Sequence, residues 1–250
     1  MSLDGYLHAQ GSENGRSTIP FSNLLRPFLS PGVRLGAKQV ATACAAPLER
    51  RKARAFRTGP PLRLHLGSGG NNLDGWVNVD LVGARADVAW DLRHPLPFAD
   101  ASADAVFLEH VLEHMTVAEG MAVLRHAQRV LAPGGVLRVG VPDAGLYARS
   151  YAGGDGAIDE LRPDRPTRML ALGEVFQEHG HVSAWDGETL ALVVRAVGFE
   201  GAEVMPGGTS RIEPAPDSPA RIAESVYVEA VAPGPGPAPD GSRVDPGTSC

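Results

Sequence analysis

The stretch LRLHLGSGG at residues 62–70 decides the fold. Leu62, Leu64 and Leu66 alternate with polar side chains, which is the pattern of a short β-strand. The GSGG turn at 67–70 follows directly, and its glycines allow positive φ angles and a close approach of the backbone to a ligand. The amides of such a turn can meet a polar or anionic group. A purely structural turn remains open as the alternative, because Gly-rich turns are common.

Strand-like and helix-like segments alternate after this turn. The alternation predicts an open α/β sheet with a parallel centre. In such sheets, ligands collect outside the carboxyl ends of the strands, near the point where the strand order reverses. The predicted strands are 62–66, 76–79, 87–90, 105–108, 136–141, 203–205 and 225–230.

Two helices carry clear boundary signals. Thr116 and Glu119 have the spacing of a capping box, and apolar residues recur at helical intervals up to Leu131, before the PGG triplet at 133–135. The second helix is predicted over 187–197, with Asp186 as N-cap and Gly198 after its end.

Composition divides the chain of 250 residues into three parts. We expect a partly helical or disordered N-terminal extension at 1–58, a catalytic domain at 59–231, and a disordered Pro/Gly-rich tail at 232–250. The basic cluster at 50–57 in the extension indicates either contact with a polyanion or membrane surface, or a solvated helical arm. We favour the arm, because the cluster is short and Ala-rich.

Charge, cysteines and hydropathy exclude several classes of protein. The net charge of −6 gives no indication of nucleic-acid binding, and the two cysteines, Cys44 and Cys250, make a disulfide framework or a cysteine metal site improbable. No segment approaches the roughly 20 apolar residues that span a bilayer, and Met1–Ser17 lacks an apolar signal region. We therefore expect a cytoplasmic protein without a membrane span.

Carboxylates follow two further strands. Asp80 ends the second strand, where it can accept hydrogen bonds from both hydroxyls of a ribose. Asp91 follows the third strand and can receive an adenine amino group, while Leu92 covers the ring. Each aspartate could equally be a turn or capping residue. Together with the glycine turn, however, the two carboxylates predict a nucleoside site.

The run from 64 to 143 resembles the class I S-adenosylmethionine-dependent methyltransferases, in particular the compact methyltransferase type 11-like group. The matching phrases are LHLGSG at 64–69, GWVNVD at 75–80, DLRHPLPFADASADAV at 91–106, EHVLEH at 109–114 and RVLAPGGVLRVGVPD at 129–143. The later phrases HVSAWDGETLALVVRAVGF at 181–199 and SVYVEA at 225–230 resemble the same group's C-terminal half. The resemblance implies a Rossmann-like, doubly wound, mostly parallel seven-stranded sheet whose last strand is antiparallel.

The resemblance also implies that S-adenosyl-L-methionine is the cofactor and assigns residues to it. Gly67, Ser68 and Gly69 would pass beneath the methionine part, and Asp80 would hold the ribose hydroxyls. The residues that would border the adenine and the methionine or acceptor are Leu81, Asp91, Leu92, Glu109 and His110.

Two departures from the family pattern motivate an alternative function. His65 stands where the family has an acidic residue before the glycine turn, and Asn71 replaces the third glycine. The connection from Gly67 to Asp80 is also too short for a full crossover helix. These departures leave open an inactive cofactor-binding regulatory protein. A nicotinamide oxidoreductase is disfavoured, because the final glycine of G-x-G-x-x-G is absent.

The acceptor and its base are less well defined by the sequence. We expect a small-molecule or glycan acceptor methylated at a hydroxyl, with no metal ion and no nucleic acid. The candidates for the group that removes its proton are His110, His114, Asp143 and His181. HVLEH at 110–114 also matches the inverted zinc-peptidase signature H-x-x-E-H. We reject that reading because His110 follows a strand, whereas the motif needs both histidines on one helical face.

Overall fold

The computed structural model describes residues 31–56, 62–83 and 85–234. Its single sheet has seven strands in the order β3-β2-β1-β4-β5-β7-β6. All neighbouring strands are parallel except β7, which runs antiparallel to both β5 and β6. The predicted Rossmann-like sheet is therefore confirmed. The strands are β1 (Leu62–Leu66), β2 (Val77–Asp80), β3 (Val88–Ala89), β4 (Ala103–Glu109), β5 (Leu131–Pro142), β6 (Glu200–Met205) and β7 (Ser225–Val231).

Six α-helices surround or extend the sheet in the described ranges. They are α1 (Pro31–Ala55), α2 (Val117–Val130), α3 (Ala144–Gly153), α4 (Ala157–Leu161), α5 (Arg168–Gln177) and α6 (Gly187–Val197). Helices α3, α4 and α5 share a small core of their own, built around Tyr147 and Ile158, beside the main core. Among the described helices, none has the length and apolar character that a membrane crossing requires.

The residues that the sequence predicts as helix caps form capping hydrogen bonds in the structure. Thr116 and Glu119 form the full capping box of α2, and Asp186 accepts a hydrogen bond from the Thr189 amide at the start of α6. Helix α2 nevertheless ends at Val130, because Leu131 already pairs with Ala103 across the sheet. The residue before a proline also disfavours helical backbone, so the chain extends before Pro133.

The first crossover contains turns and no helix between β1 and β2, as its length predicted. Helix α1, which lies within the predicted extension, packs beside this edge of the sheet. The Thr42 hydroxyl accepts a hydrogen bond from the Val82 amide, and the Glu49 carboxylate accepts one from the Ala89 amide. The domain boundaries remain a prediction, and residues 1–30, 57–61 and 235–250 lie outside the described part.

A buried ionic network fastens the segment 206–224 to the sheet. The fully buried Arg138 of β5 donates to Asp217 at 2.5 and 2.6 Å and to Glu229 of β7 at 2.9 Å. Asp217 also accepts from the Gly208 amide, and Glu229 from the Arg211 amide. Every charge of this network therefore has a partner, which is the condition for burying charges at acceptable cost.

We predict that Arg138→Met strongly destabilises the fold. The substitution leaves Asp217 and Glu229 buried without their cation, a change that costs about 3–5 kcal/mol in other proteins. Urea unfolding should report this loss, whereas Arg125→Met on the exposed face of α2 should change the unfolding free energy by less than about 0.5 kcal/mol. Equal effects of the two substitutions would contradict the role given to the network.

Candidate functional site

The carboxyl ends of β1 to β4 surround a cavity of about 660 Å³. This volume lies within the usual range for small-molecule sites. Helix α1 closes one side with Leu35 and Gln39, which the sequence did not predict. The nucleoside-site candidates that line the cavity are His65, Gly67, Ser68, Gly69, Asp80, Leu81, Asp91, Leu92 and Glu109.

The glycine turn approaches the cavity closely and needs its first glycine. Gly67 has φ +74°, and a Cβ atom there would lie 2.3 Å from a Val111 methyl group. The amides of Gly67 and Ser68 donate to the Val79 carbonyl, and the Gly69 amide donates to Asp80 at 2.6 Å. These amides are therefore paired within the fold. The buried Ser68 hydroxyl, by contrast, has no hydrogen-bond partner among the described residues.

The two aspartates differ in their surroundings. Asp80 accepts from the Gly69 and Leu81 amides at 2.6 Å, which orients its carboxylate at the cavity wall. Asp91 instead forms a two-pronged ion pair with Arg93, with contacts of 2.7 and 2.9 Å. Its pKa lies below its ordinary value although burial opposes the shift, because Arg93 donates hydrogen bonds to the carboxylate. Leu92 is buried beside it.

His65 lies at the floor of the cavity with its ring stacked 5.1 Å from that of Phe107. Its Nδ1 is 3.2 Å from Asn78 Oδ1, which also accepts from the Leu73 amide. Nδ1 therefore carries the proton, and the lone pair is on Nε2. Burial lowers the pKa of His65 to about 4, so the imidazole is neutral at physiological pH.

Glu109, at the end of β4, mainly forms hydrogen bonds within the protein. Its carboxylate accepts from the Ser218 amide at 3.0 Å, from the Ser218 hydroxyl, and from the Tyr227 hydroxyl at 2.8 Å. Arg221 donates to its backbone carbonyl at 3.2 Å. Glu109 thus fixes the segment 206–224 over the strand ends, and its oxygens are largely occupied.

A second cavity of about 360 Å³ adjoins the first. The two share the wall residues His110, His114, His179 and Arg221. The segment 144–185 supplies much of the remaining wall. The other lining residues are Glu113, Pro142, Tyr147, Arg162, Glu174, Val175, His181 and Glu224.

His110 stands between the two cavities in an unusual backbone conformation. Its φ is +55°, a region where non-glycine residues are uncommon and often functional. Its Nε2 lies 2.7 Å from the Ser225 hydroxyl, and its amide donates to the Gly140 carbonyl. Burial, followed by the charge of Arg221, lowers the pKa of His110 to about 3.

Glu113 is a buried carboxyl group in the wall of the second cavity. Its side chain is 2% exposed, and neither carboxylate oxygen has a hydrogen-bond partner among the described residues. Burial raises its pKa to about 8. His114 and His181 lie next to it, each with Nε2 about 4 Å from Glu113 Oε1. Desolvation, followed by the charge of His181, lowers the pKa of His114 to about 4.

The structure brings three of the four proton-transfer candidates together. His110, His114 and His181 line the second cavity, whereas Asp143 is not among its lining residues and N-caps helix α3 by accepting from the Leu146 amide. Sequence reasoning did not select Glu113, although it stands between two candidate histidines. It also missed Arg162, Arg221 and Glu224, which no local pattern distinguishes from ordinary surface charges.

A family model described as "Methyltransferase domain" matches residues 78–139. The matched segment runs from β2 into β5 and includes Asp80, Asp91, Glu109 and His110. A sequence comparison with curated proteins finds no match.

Several solved structures are similar to this chain at low identity. A methyltransferase of Thermotoga maritima is 18% identical over 80% of this chain and 95% of its own, with a TM-score of 0.43. A SAM-dependent methyltransferase of Archaeoglobus fulgidus is 13% identical over 78% and 94%, with a TM-score of 0.44. A 16S rRNA (adenine(1408)-N(1))-methyltransferase of Catenulisporales acidiphilia is 14% identical over 76% and 93%, with a TM-score of 0.42. Such low values carry no argument about the acceptor.

We predict that His65 makes the stability of the protein depend on pH. Its folded pKa of about 4 lies below the ordinary 6.5, so the unfolded chain takes up this proton first and stability falls as the pH drops through that window. The contribution lost between about pH 8 and about pH 5 is about 2 kcal/mol. Over the same pH range, the unfolding free energy measured with urea should therefore fall by about 2 kcal/mol less for His65→Gln than for the unsubstituted chain. Parallel curves for the two proteins would refute this prediction.

Proposed function

We propose that this chain, a class I S-adenosylmethionine-dependent methyltransferase, methylates a hydroxyl group of a small polar molecule or glycan. One observation carries the proposal about the acceptor. The second cavity is small, is walled by charged and imidazole side chains, and shares four wall residues with the first. A polar acceptor placed there would lie next to the cofactor cavity.

The residues of the first cavity fit the cofactor. Gly67 lets the turn pack against Val111 at the cavity wall, where a Cβ would clash. The buried Ser68 hydroxyl has no hydrogen-bond partner among the described residues, so a ligand could supply one. Asp80 is the candidate for binding the ribose hydroxyls, since its orientation is fixed by two backbone amides. His65 offers an Nε2 lone pair in place of the family's carboxylate, so it can accept a hydrogen bond from an ammonium group.

The walls of the second cavity favour a polar acceptor over an apolar one. Arg162 is paired with Glu224 at 2.6 Å, yet its buried Nε has no hydrogen-bond partner among the described residues. The Glu113 carboxylate is equally unpartnered. Burial of unpaired polar groups costs free energy, which an apolar occupant would leave uncompensated. Hydroxyl groups can both donate to Glu113 and accept from Arg162.

Methyl transfer to a hydroxyl requires alignment and removal of one proton. The cofactor supplies the sulfonium methyl group, and the cavities have to hold the acceptor oxygen in line with it. Two of the candidate bases, His110 and His114, line both cavities, and we select His110 because its side chain is the more buried of the two. Its low pKa keeps the ring neutral near physiological pH, so the lone pair is available, and the Ser225 hydroxyl orients the ring.

An acceptor panel tests the proposed function. The full chain is incubated with S-adenosylmethionine and with monosaccharides, nucleotide sugars, hydroxylated aromatics, amines or RNA oligonucleotides, and formation of S-adenosylhomocysteine is measured. We expect turnover above the acceptor-free rate only with hydroxylated small molecules. Turnover confined to amines or RNA would overturn the proposal. The absence of nucleic-acid binding and the cytoplasmic location remain predictions.

With an acceptor identified, His110→Asn tests the assigned base. Asparagine tolerates a positive φ better than most residues, so the backbone should be preserved. We expect kcat to fall by about 10²- to 10⁴-fold, because the proton acceptor is lost. The affinity for S-adenosylhomocysteine should change little. An unchanged kcat would show that a group other than His110 removes the proton.

We predict that Asp80→Ala weakens binding of S-adenosylhomocysteine by about ten- to a hundredfold, since hydrogen bonds to a charged group contribute about 1.5–3 kcal/mol. Isothermal titration calorimetry measures the change directly. Asp74→Ala, at an exposed position of the same connection, is the matched control and should bind normally. Near-unchanged affinity of Asp80→Ala would count against the placement of the nucleoside.

A further inference from the structure

Glu113, His114 and His181 form a cluster with the composition of a metal site. Each residue offers one ligand atom, and the three atoms lie within 4.8 Å of one another. The Glu113 oxygen is 3.9 Å from His114 Nε2 and 4.0 Å from His181 Nε2. Ligands of a tetrahedral ion with bonds of about 2.1 Å are roughly 3.4 Å apart. Closing the cluster around an ion therefore needs only small side-chain rotations.

The Glu113 side chain provides a second, independent observation that favours cation binding. Both of its oxygens are buried and have no hydrogen-bond partner in the described ranges. A buried carboxylate without a partner is costly, and such groups are usually paired or bind metal ions. The surrounding cations do not supply the pair, because Arg162 contacts Glu224 at 2.6 Å and Arg221 is directed to Glu109.

His181 has the outer hydrogen bond that metal-binding histidines typically make. Its Nδ1 donates to the Val175 carbonyl at 2.7 Å, which fixes the ring and places the lone pair on Nε2, the atom that faces Glu113. Metal-ligating histidines commonly donate their second nitrogen to a backbone carbonyl in this way. The cluster therefore contains an oriented ligand as well as an unpaired carboxylate.

We propose that Glu113, His114 and His181 bind one divalent transition-metal ion, with Zn²⁺ as the best match. Two imidazoles and one carboxylate are a ligand set that suits Zn²⁺ and leaves a coordination position open. The sequence-based expectation of a site without metal is revised accordingly. Because the same residues line the second cavity, the open position faces the space proposed for the acceptor. This last step rests on the proposed function, whereas the ion site does not.

This site differs from the zinc-peptidase reading of HVLEH. That motif requires His110 and His114 one turn apart on a helix. Here His110 follows strand β4 and has φ +55°, and the helical turn contains only Leu112–His114. His110 Nε2 contacts the Ser225 hydroxyl at 2.7 Å. The second histidine comes instead from His181, beyond helix α5.

The test measures metal binding without cofactor or acceptor. The full chain is stripped with a chelator and titrated with Zn²⁺ by calorimetry, and Co²⁺ serves as a probe through its visible absorption. We expect one ion per chain. Glu113→Gln and His181→Gln should each lose about a hundredfold or more in affinity, since even changes in the outer partners cost about 10- to 100-fold. His126→Gln, on helix α2, is the matched histidine control and should bind normally.

Thermal unfolding separates loss of the site from loss of the fold. The metal-free Glu113→Gln protein should be at least as stable as the unsubstituted chain, because an amide is neutral at every pH, whereas an unpaired Glu113 must hold a proton to avoid burying a charge. Zn²⁺ should raise the unfolding temperature of the unsubstituted chain only. The proposal is overturned if the unsubstituted chain binds no Zn²⁺, or if the cluster variants bind it equally well. Neither result bears on the acceptor panel, so failure of the two proposals can be distinguished.

Discussion

The functional end of the molecule depends on the buried guanidinium of Arg138. This group holds Asp217 and Glu229, and so ties the segment 206–224 to the central strands. Ser218, Arg221 and Glu224 reach the site only because this segment lies over the strand ends. Glu109 adds a second anchor through Ser218 and Tyr227. Two carboxylates and one arginine that contact no proposed ligand thus determine the walls of both cavities.

The two cavities differ in the character of their walls, and this difference supports the occupants proposed for them. The larger cavity combines leucine and glycine surfaces with polar groups such as Asp80 and His65, a mixture that small-molecule sites commonly have. The smaller cavity is lined mainly by ionisable groups, and among the described residues the Glu113 oxygens and the Arg162 Nε have no hydrogen-bond partner. His110 and Arg221 belong to both walls. A methyl group transferred between the cavities would therefore pass close to His110.

The sequence predicted those features whose signals are local. The capping box at Thr116, the Asp186 cap and the strand endings at Gly67 and Asp80 depend on near neighbours, and the structure contains all of them. Distant partners were not predictable. The wall formed by helix α1 and the pairing of Leu131 with Ala103, which shortens helix α2, arise from tertiary contacts.

Glu113 could not be selected from the sequence because its significance also depends on distant partners. In the sequence it is one carboxylate between two histidines, and the zinc signature that this spacing suggests is rejected because His110 follows a strand. Only the fold brings His181 next to it, from the far side of helices α3 to α5. Its significance comes from burial without a partner, which is a three-dimensional property.

The chemistry proposed for the acceptor depends on the electrostatics of the residues that line the second cavity. Burial makes His110 neutral but also lowers its proton affinity, so on its own it is a weak base for an alcohol. A hydroxyl group in the second cavity must therefore be made more acidic by nearby positive charge. Arg162 and Arg221 supply part of this charge, although carboxylates already neutralise much of it. A cation at Glu113 would supply the remainder and would stabilise the developing alkoxide. The weak basicity of His110 and the unpaired carboxylate of Glu113 thus lead to the same requirement. Both call for positive charge near the acceptor oxygen.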